Sequence, residues 1–576
     1  MKRFLVTIIV FFSYIASFAA LPVIGPELAA EMRRIESNGK IKVNILMLEQ
    51  SDPIALNRAT SQFATKQERC EFVVEILKQQ AEASQADLMC LLREMESNGM
   101  VNDIQPFWLV NCVSCRANKT AINDLAQRRD IMTIYHCQET QWIFENRPTP
   151  APKNNGREIT QNLLQVNAPQ VWEQGYTGTG VLVALIDTGV CLDHADLAGR
   201  LWDGGAEYPN HGYDFYYHDN DPSDDRGHGT HVAGTICGTG TSGSQTGIAP
   251  SATIMALKAF NNEGVGDETH WVAAMQFALE HGADLMNMSL GRPQPNAAQK
   301  LMMRQACDNT LAAGVVVAAC AGNLRQMGFM VPPPNNIYTP GDCPPPHLHE
   351  DQLVNAGGLS CVISVGAVDY NHTIAPFSSE GPSQWTDVAQ YNDYPYTAGS
   401  TTEIGLIRPD ICAPGVQIKS LDYNTTNGYT LMDGTSMATP LVAGTIALML
   451  SKNHELTPAQ IDEILERTAV KLTEHKSNDF GSGLLDALAA INAVPAWDGI
   501  SENTLNANMF PNPTHDNITI QCEGIRQIKV YSMDGRLVKS LSVNESECLI
   551  EGLERGVYLV KAETNKGTFT KKIVKM

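Results

Sequence analysis

The spacing of apolar residues changes character twice along the chain. From Ile41 to Leu48 an apolar run reads as a strand, Cys70 to Asn98 is amphipathic over a helical length, and Pro106 to Cys112 is apolar again. A short helical candidate and a strand from Ile131 to His136 complete the set, which predicts a small α+β domain over 21–150. The stretch NRPTPAPKNNGREIT, near 144–158, carries Pro, Asn and charge without periodicity and predicts an exposed linker.

Beyond the linker, buried strands alternate with helices. VLVALI (181–186), TIMALKAF (253–260), DLMNMSL (284–290), GVVVAAC (314–320) and CVISVGAV (361–368) are near-continuous apolar runs. Helices are predicted from His228, near 268–281, between the third and fourth runs, and from Ser436 to Lys452. Strands apolar throughout are covered on both faces, so the fold class expected over 156–497 is α/β, a doubly wound and mostly parallel sheet. A second boundary, near 495–512, precedes short alternating strands (NITIQ, QIKVYSM, VYLVKAE, FTKKIVKM) with turns such as Asp534-Gly535, which predict an all-β sandwich over 505–576.

The first 20 residues place Lys2 and Arg3 before an apolar run that ends in small residues, the layout of a secretory signal peptide. The run from Phe4 to Phe18 is shorter than the roughly 20 residues of a spanning helix, and no later segment is long and apolar enough. The mature chain is therefore expected to carry no transmembrane span and to pass through the periplasm, secreted or displayed at the cell surface. A formal charge of −22, from 63 acidic and 41 basic residues, argues against a nucleic-acid partner, because phosphate contacts need clustered Lys and Arg. The 14 cysteines form no clean disulfide framework. The Cys112 and Cys115 pair lacks a second pair or a nearby His to complete a metal or redox site, so structural or incidental cysteine is the expectation.

Three motifs carry chemistry. VALIDTGV puts Asp187 just past a buried strand, GHGTHVAGT puts His228 at the mouth of a helix, and YTLMDGTSMATPLVAG puts Ser436 at another helix start. A serine hydroxyl is a weak nucleophile until an imidazole takes its proton and a carboxylate fixes that imidazole's tautomer. Each residue alone has an ordinary role, as turn cap, structural histidine or N-cap. Together, in the order Asp, His, Ser, the strings resemble the subtilase family of serine peptidases, from about Asn162 to Val494.

That resemblance implies hydrolysis of protein or peptide substrates, with Asp187 orienting the imidazole, His228 as general base and then acid, and Ser436 attacking the scissile carbonyl. Asn323, in VVVAACAGN, matches the side-chain donor of the oxyanion hole, and Ser289, Leu290 and Gly291 match the strand on which an extended substrate pairs. His231 is the structural histidine by position, and Pro440 sits in the Ser436 helix as the family tolerates. No cofactor is needed for the chemistry. Calcium is implied as a structural ion, at Asp196 by family position or along HDNDPSDD (218–225), where a solvated acidic loop is an equal reading. Two long stretches, one after Asn323 and one from Gln384 to Ile407, border the cleft or merely decorate the surface, and they leave the primary specificity unassigned.

Residues before the linker resemble a subtilase propeptide in position. Such a segment assists folding, covers the cleft as an intramolecular inhibitor and is cut off near 150–160. The tail, from MFPNPTHDNITI through VYSMDGRLVKS and GVYLV to TKKIVKM, resembles the C-terminal sorting domain of the type IX secretion system, which implies an outer-membrane secretion machinery as partner. A catalytically silent surface protein on the same fold, binding peptides or acting as an adhesin, is the competing function. A narrow processing protease is a third.

Overall fold

The structure is a computed structural model. It describes residues 21–495 apart from 37, 62, 64, 145–148, 152–157, 345–351, 353–361, 386–387 and 389–404, and residues 508–575 apart from 511–513, 515–516, 522–523, 533–536, 544–546, 554 and 565–566. The expected signal peptide, most of the linker, much of both long stretches, the PNP of the PNPT motif and the Asp534-Gly535 turn lie outside the described residues. Contacts divide the chain into Met1–Pro495 and Ala496–Met576.

In the first unit, strands β1 (Lys40–Met47), β2 (Val101–Phe107), β3 (Cys112–Asn118) and β4 (Ile131–His136) form an antiparallel sheet in the order β2-β3-β1-β4. Val43 and Ile45 of β1 face one core together with Leu88 and Leu92 of the long helix Lys66–Ser97. The amphipathic reading of that stretch is thus correct, and its N-cap is Thr65, whose hydroxyl accepts from Glu68 N. The thiols of Cys112 and Cys115 are buried in β3, and burial pushes both up, that of Cys115 to about 12.

The seven-stranded parallel sheet comprises β5 (Leu182–Asp187), β6 (Gly212–Asp214), β7 (Thr253–Lys258), β8 (Leu285–Met288), β9 (Val316–Cys320), β10 (Val362–Val368) and β11 (Ile411–Pro414), in the order β11-β10-β9-β8-β5-β7-β6. Period-2 alternation sorts its side chains into two cores. Val183, Leu185, Val316 and Ala318 pack with helices His228–Cys237 and Thr435–Lys452. Ala184, Ile186, Val317 and Ala319 pack with helices Glu268–Glu280 and Ala297–Ala312. Both faces are covered, as the near-continuous apolar runs require.

The N-terminal sheet and the parallel sheet share the second core. Leu46, Val73, Leu77 and Phe107 join it from the N-terminal side. Ion pairs add to the seam: Lys42 to Asp267 at 2.6 Å, Lys78 to Glu280 at 2.6 Å, Arg69 to Glu455 at 3.5 Å, and Lys66 to Asp284. The linker is also tied in places, since Thr149–Pro150 pair with Thr430 and Leu431, and Glu158–Ile159 pair with Ser244–Gln245. Two-residue pairings are too short to leave a periodic trace in the sequence.

The second unit is all-β. Strands β12 (Asn508–Phe510), β13 (Ile518–Gln521) and β16 (Glu547–Ile550) form one antiparallel sheet, and β14 (Ile525–Ser532), β15 (Leu537–Ser542), β17 (Gly556–Thr564) and β18 (Gly567–Lys575) form another. Ile520 and Ile550 of the first share a core with Ile528, Val530 and Val560 of the second, which makes it a sandwich.

Candidate active site

Asp187 ends β5, fully buried, and its Oδ1 accepts from Thr188 N at 2.7 Å. The same oxygen lies 2.7 Å from His228 Nδ1, in the first turn of helix His228–Cys237. Two features bring strand end and helix mouth together. A Cβ on Gly229 would stand 2.1 Å from Gly189 O, so only glycine lets the helix approach the turn after Asp187. Asp224 then closes the corner. Its Oδ1 accepts from Arg226 N (3.0 Å), Gly227 N (2.9 Å) and Thr188 Oγ1 (2.9 Å), and its Oδ2 accepts from Thr230 N (2.8 Å) and Thr230 Oγ1 (2.6 Å). Burial pushes the Asp224 carboxyl up against these donors. Lys258 donates to Thr188 O and to Asp225, each at 2.7 Å.

Ser436 is the second residue of helix Thr435–Lys452, which packs against the His228 helix. Its hydroxyl donates to Ser289 O at 3.1 Å, and Ser289 Oγ donates back to Ser436 O at 2.9 Å. Pro440 explains why that carbonyl accepts a side chain. The N–H that would close the helical turn on Ser436 O belongs to position 440, where proline has none. Asn287 Nδ2 steadies Ser289 Oγ at 3.0 Å. Asn323 follows β9, and its Oδ1 accepts from Thr435 N and Thr435 Oγ1, both at 3.0 Å, while Thr435 Oγ1 accepts from Gly322 N at 3.1 Å. The amide plane of Asn323 is therefore fixed beside the start of the Ser436 helix.

The Ser289–Gly291 strand already has a neighbour from the N-terminal region. Gly291 N donates to Trp142 O at 3.2 Å, Trp142 N to Gly264 O at 2.9 Å, and Thr140–Gln141 pair antiparallel with Val265–Gly266. Trp142 is buried between Phe260 and Trp271, and its indole donates to Gly266 O at 3.1 Å. Asp187, His228 and Ser436 are each exposed by 1% or less.

Residues 178–483, more than half of the chain, match the model of the Subtilase family. The chain belongs to the subtilase family. It is a subtilisin-like serine endopeptidase, and residues 508–576 match the secretion system C-terminal sorting domain, of the type IX kind, which marks it for secretion or display at the cell surface. Among relatives, Subtilisin DY of Bacillus licheniformis is 33% identical over 334 residues, 58% of this chain and 98% of that protein. Serine protease AprX of Bacillus subtilis (strain 168) is 30% identical over 418 residues, 67% of this chain and 79% of that protein. Bacillopeptidase F of Bacillus subtilis (strain 168) is 28% identical over 503 residues, 82% of this chain but 32% of that protein, so the chain spans about a third of its length.

In this subtilase Asp196 Oδ2 accepts from Tyr429 OH and Oδ1 from Ser242 N, both at 2.7 Å. In the acidic stretch, Asp224 caps the His228 helix and Asp225 pairs with Lys258. Among the described residues no three His, Cys, Asp or Glu side chains gather to hold a metal ion. His231, buried and bonded through Nε2 to Ile418 O at 2.9 Å, has its pKa lowered to about 3 by burial, a structural histidine as expected. Sequence reasoning overlooked Asp224, Thr188, Thr435 and Trp142. Only Asp224 left a signal, an acidic residue four positions before a helix start.

Proposed function

We propose that Asp187, His228 and Ser436 form the catalytic triad of a self-processing zymogen. Ser436 Oγ attacks the scissile carbonyl carbon while its proton passes to His228 Nε2, and the C=O π pair moves onto oxygen. Asp187 holds Nδ1–H and the imidazolium that results. Collapse of the intermediate breaks the C–N bond, His228 returns the proton to the leaving amine, and water then releases the acyl group by the same route. Asn323 Nδ2 and the Ser436 N–H are the oxyanion donors. In subtilisin, a relative, loss of the asparagine donor costs about 2.7–4 kcal/mol of transition-state stabilisation. Ser289–Gly291 take the substrate backbone. No step runs through calcium.

The observation that carries this reading is the buried 2.7 Å contact of Asp187 with His228, in a domain where Ser436 is anchored on Ser289 of the pairing strand. Residues 21–150 act as the propeptide. Their support is Trp142, which lies on the same strand a substrate would use and so excludes one until the linker is cut. The signal peptide and the sorting tail take the precursor through the periplasm to the outer-membrane machinery. A fluorophosphonate probe tests the chemistry: the secreted, N-terminally mapped protein is expected to label, and Ser436→Ala not to. A processed protein that does not label is instead a silent binding protein on this fold.

A further inference from the structure

The specificity of the cleft is legible at Tyr338, a residue no motif singles out. Its ring lies between two glycines of the site. A Cβ on Gly291, at the end of the pairing strand, would meet Tyr338 Cβ at 2.6 Å, and a Cβ on Gly322, next to Asn323, would meet its Cδ1 at 2.7 Å. Gly322 also has φ +109°, which glycine tolerates. The gap between the pairing strand and the oxyanion loop is thus one ring wide, and Tyr338 fills it, 2% exposed.

The ring is not on a loose loop. Tyr338 N donates to Ala321 O at 2.9 Å, and the next residue exchanges both backbone hydrogen bonds with Arg292, Thr339 N to Arg292 O at 3.0 Å and Arg292 N to Thr339 O at 2.9 Å. Cys320, Leu324 and Val331 pack against it as a small apolar cluster. The chain's own segment also meets this ring. Trp142 packs against Phe260 and Trp271, while Phe144 lies against Tyr338, ring centres 5.3 Å apart, and stays 36% exposed.

In a serine peptidase, the pocket beside the nucleophile and oxyanion donors receives the side chain that precedes the scissile bond, and its free volume sets which side chains fit. We infer that Tyr338 closes this pocket and makes the enzyme select a small residue, Gly, Ala or Ser, immediately before the scissile bond. The inference rests on the catalytic reading above and adds the substrate class.

The test uses the full chain, expressed and left to process, with active sites counted by fluorophosphonate. Two tetrapeptide anilides that differ only in their last residue, Ala or Phe, are compared by kcat/KM. The wild type is expected to prefer Ala by at least tenfold, and this arm needs no variant. Tyr338→Gly is expected to raise the ratio of kcat/KM for the Phe substrate to that for Ala at least tenfold, and Tyr338→Phe, which keeps the ring, to retain the Ala preference. A wild type that cleaves the Phe substrate as well as the Ala one overturns the inference while probe labelling leaves the catalytic reading intact. So does a labelled Tyr338→Gly with an unchanged preference. Absence of labelling overturns the catalytic reading itself.

Discussion

At the Asp187 corner, the partners of the buried carboxylates come from neighbouring loops of the same α/β body: Thr188 and His228 for Asp187, and Arg226, Gly227, Thr188 and Thr230 for Asp224. At the seam with the N-terminal sheet, the buried carboxylates combine local partners, Thr269 for Asp267 and Gln299 for Glu268, with ones from that sheet. Asp267 takes Lys42 at 2.6 Å, and Glu268, fully buried, receives Asn44 Nδ2 at 3.3 Å and Gln299 Nε2 at 3.4 Å on Oε1, while its Oε2 has no hydrogen-bond partner. On the proposed processing, the first arrangement would keep its partners once the N-terminal region left. The second would lose Lys42 and Asn44, as suits a contact that has to part.

The largest effect that would break this contrast lies in the corner. Asp187→Asn keeps the shape but offers His228 the wrong hydrogen-bonding pattern, and kcat on a peptide anilide is expected to fall about 10⁴-fold, the magnitude known for this change in a triad. Processing of the precursor should stall with it, readable as uncut chain on a denaturing gel. A loss below tenfold would mean that Asp187 does not orient the imidazole.

A smaller effect is expected at the seam. Lys42→Met leaves Asp267 buried without its cation, which costs several kcal/mol for a fully buried pair and less here, because the Lys42 side chain is 23% exposed. A weakening of about a hundredfold in retention of the cut N-terminal fragment follows, about 2.7 kcal/mol. Co-elution of fragment and enzyme in size exclusion measures it. Unchanged retention would shift the holding energy to the shared apolar core around Leu46, Val73 and Phe107.

The contrast also sorts what the sequence disclosed. The parallel sheet was legible because strands buried on both faces, such as Leu182–Asp187 and Val362–Val368, are apolar at nearly every position, Asp187 and Ser364 excepted. The place where Asp187 meets His228 was legible because glycines cluster where backbone approaches backbone, as at Gly229. Tyr338 and Trp142 were not, since each is defined by partners distant in sequence, Gly291 and Gly322 for Tyr338 and Trp271 for Trp142, and a single aromatic in a loop has no period. The role of Asp224 was not legible either, because the donors of residues 226–230 that make it a cap leave no mark that spacing alone separates from an ordinary acidic loop.

The smallest effect concerns pH and belongs to Glu268 alone. Burial, and then the charge of Asp267, raise its carboxyl to about 7 while the N-terminal region is docked, with Arg292 opposing. Lys42, Tyr135, Cys112 and Cys137 are the other titratable groups around it, and burial keeps the phenol and both thiols neutral in this range. Release would return Glu268 toward the ordinary carboxylate range, so docking favours the protonated form. Docking is then strongest at pH below the ordinary carboxylate value, weakens as pH rises toward 7, and levels off above it. Asp267 has the opposite sign, its carboxyl being held low by His270 and Lys42 against its burial, and it weakens docking only under stronger acid. Between pH 5 and 7, fragment retention by the wild type is expected to drop about tenfold, on the order of one proton's linkage. Glu268→Gln, which keeps the shape and cannot ionise, should hold its retention flat over that range. A Glu268→Gln profile that falls as steeply as the wild type would place the pH response in another group of the seam.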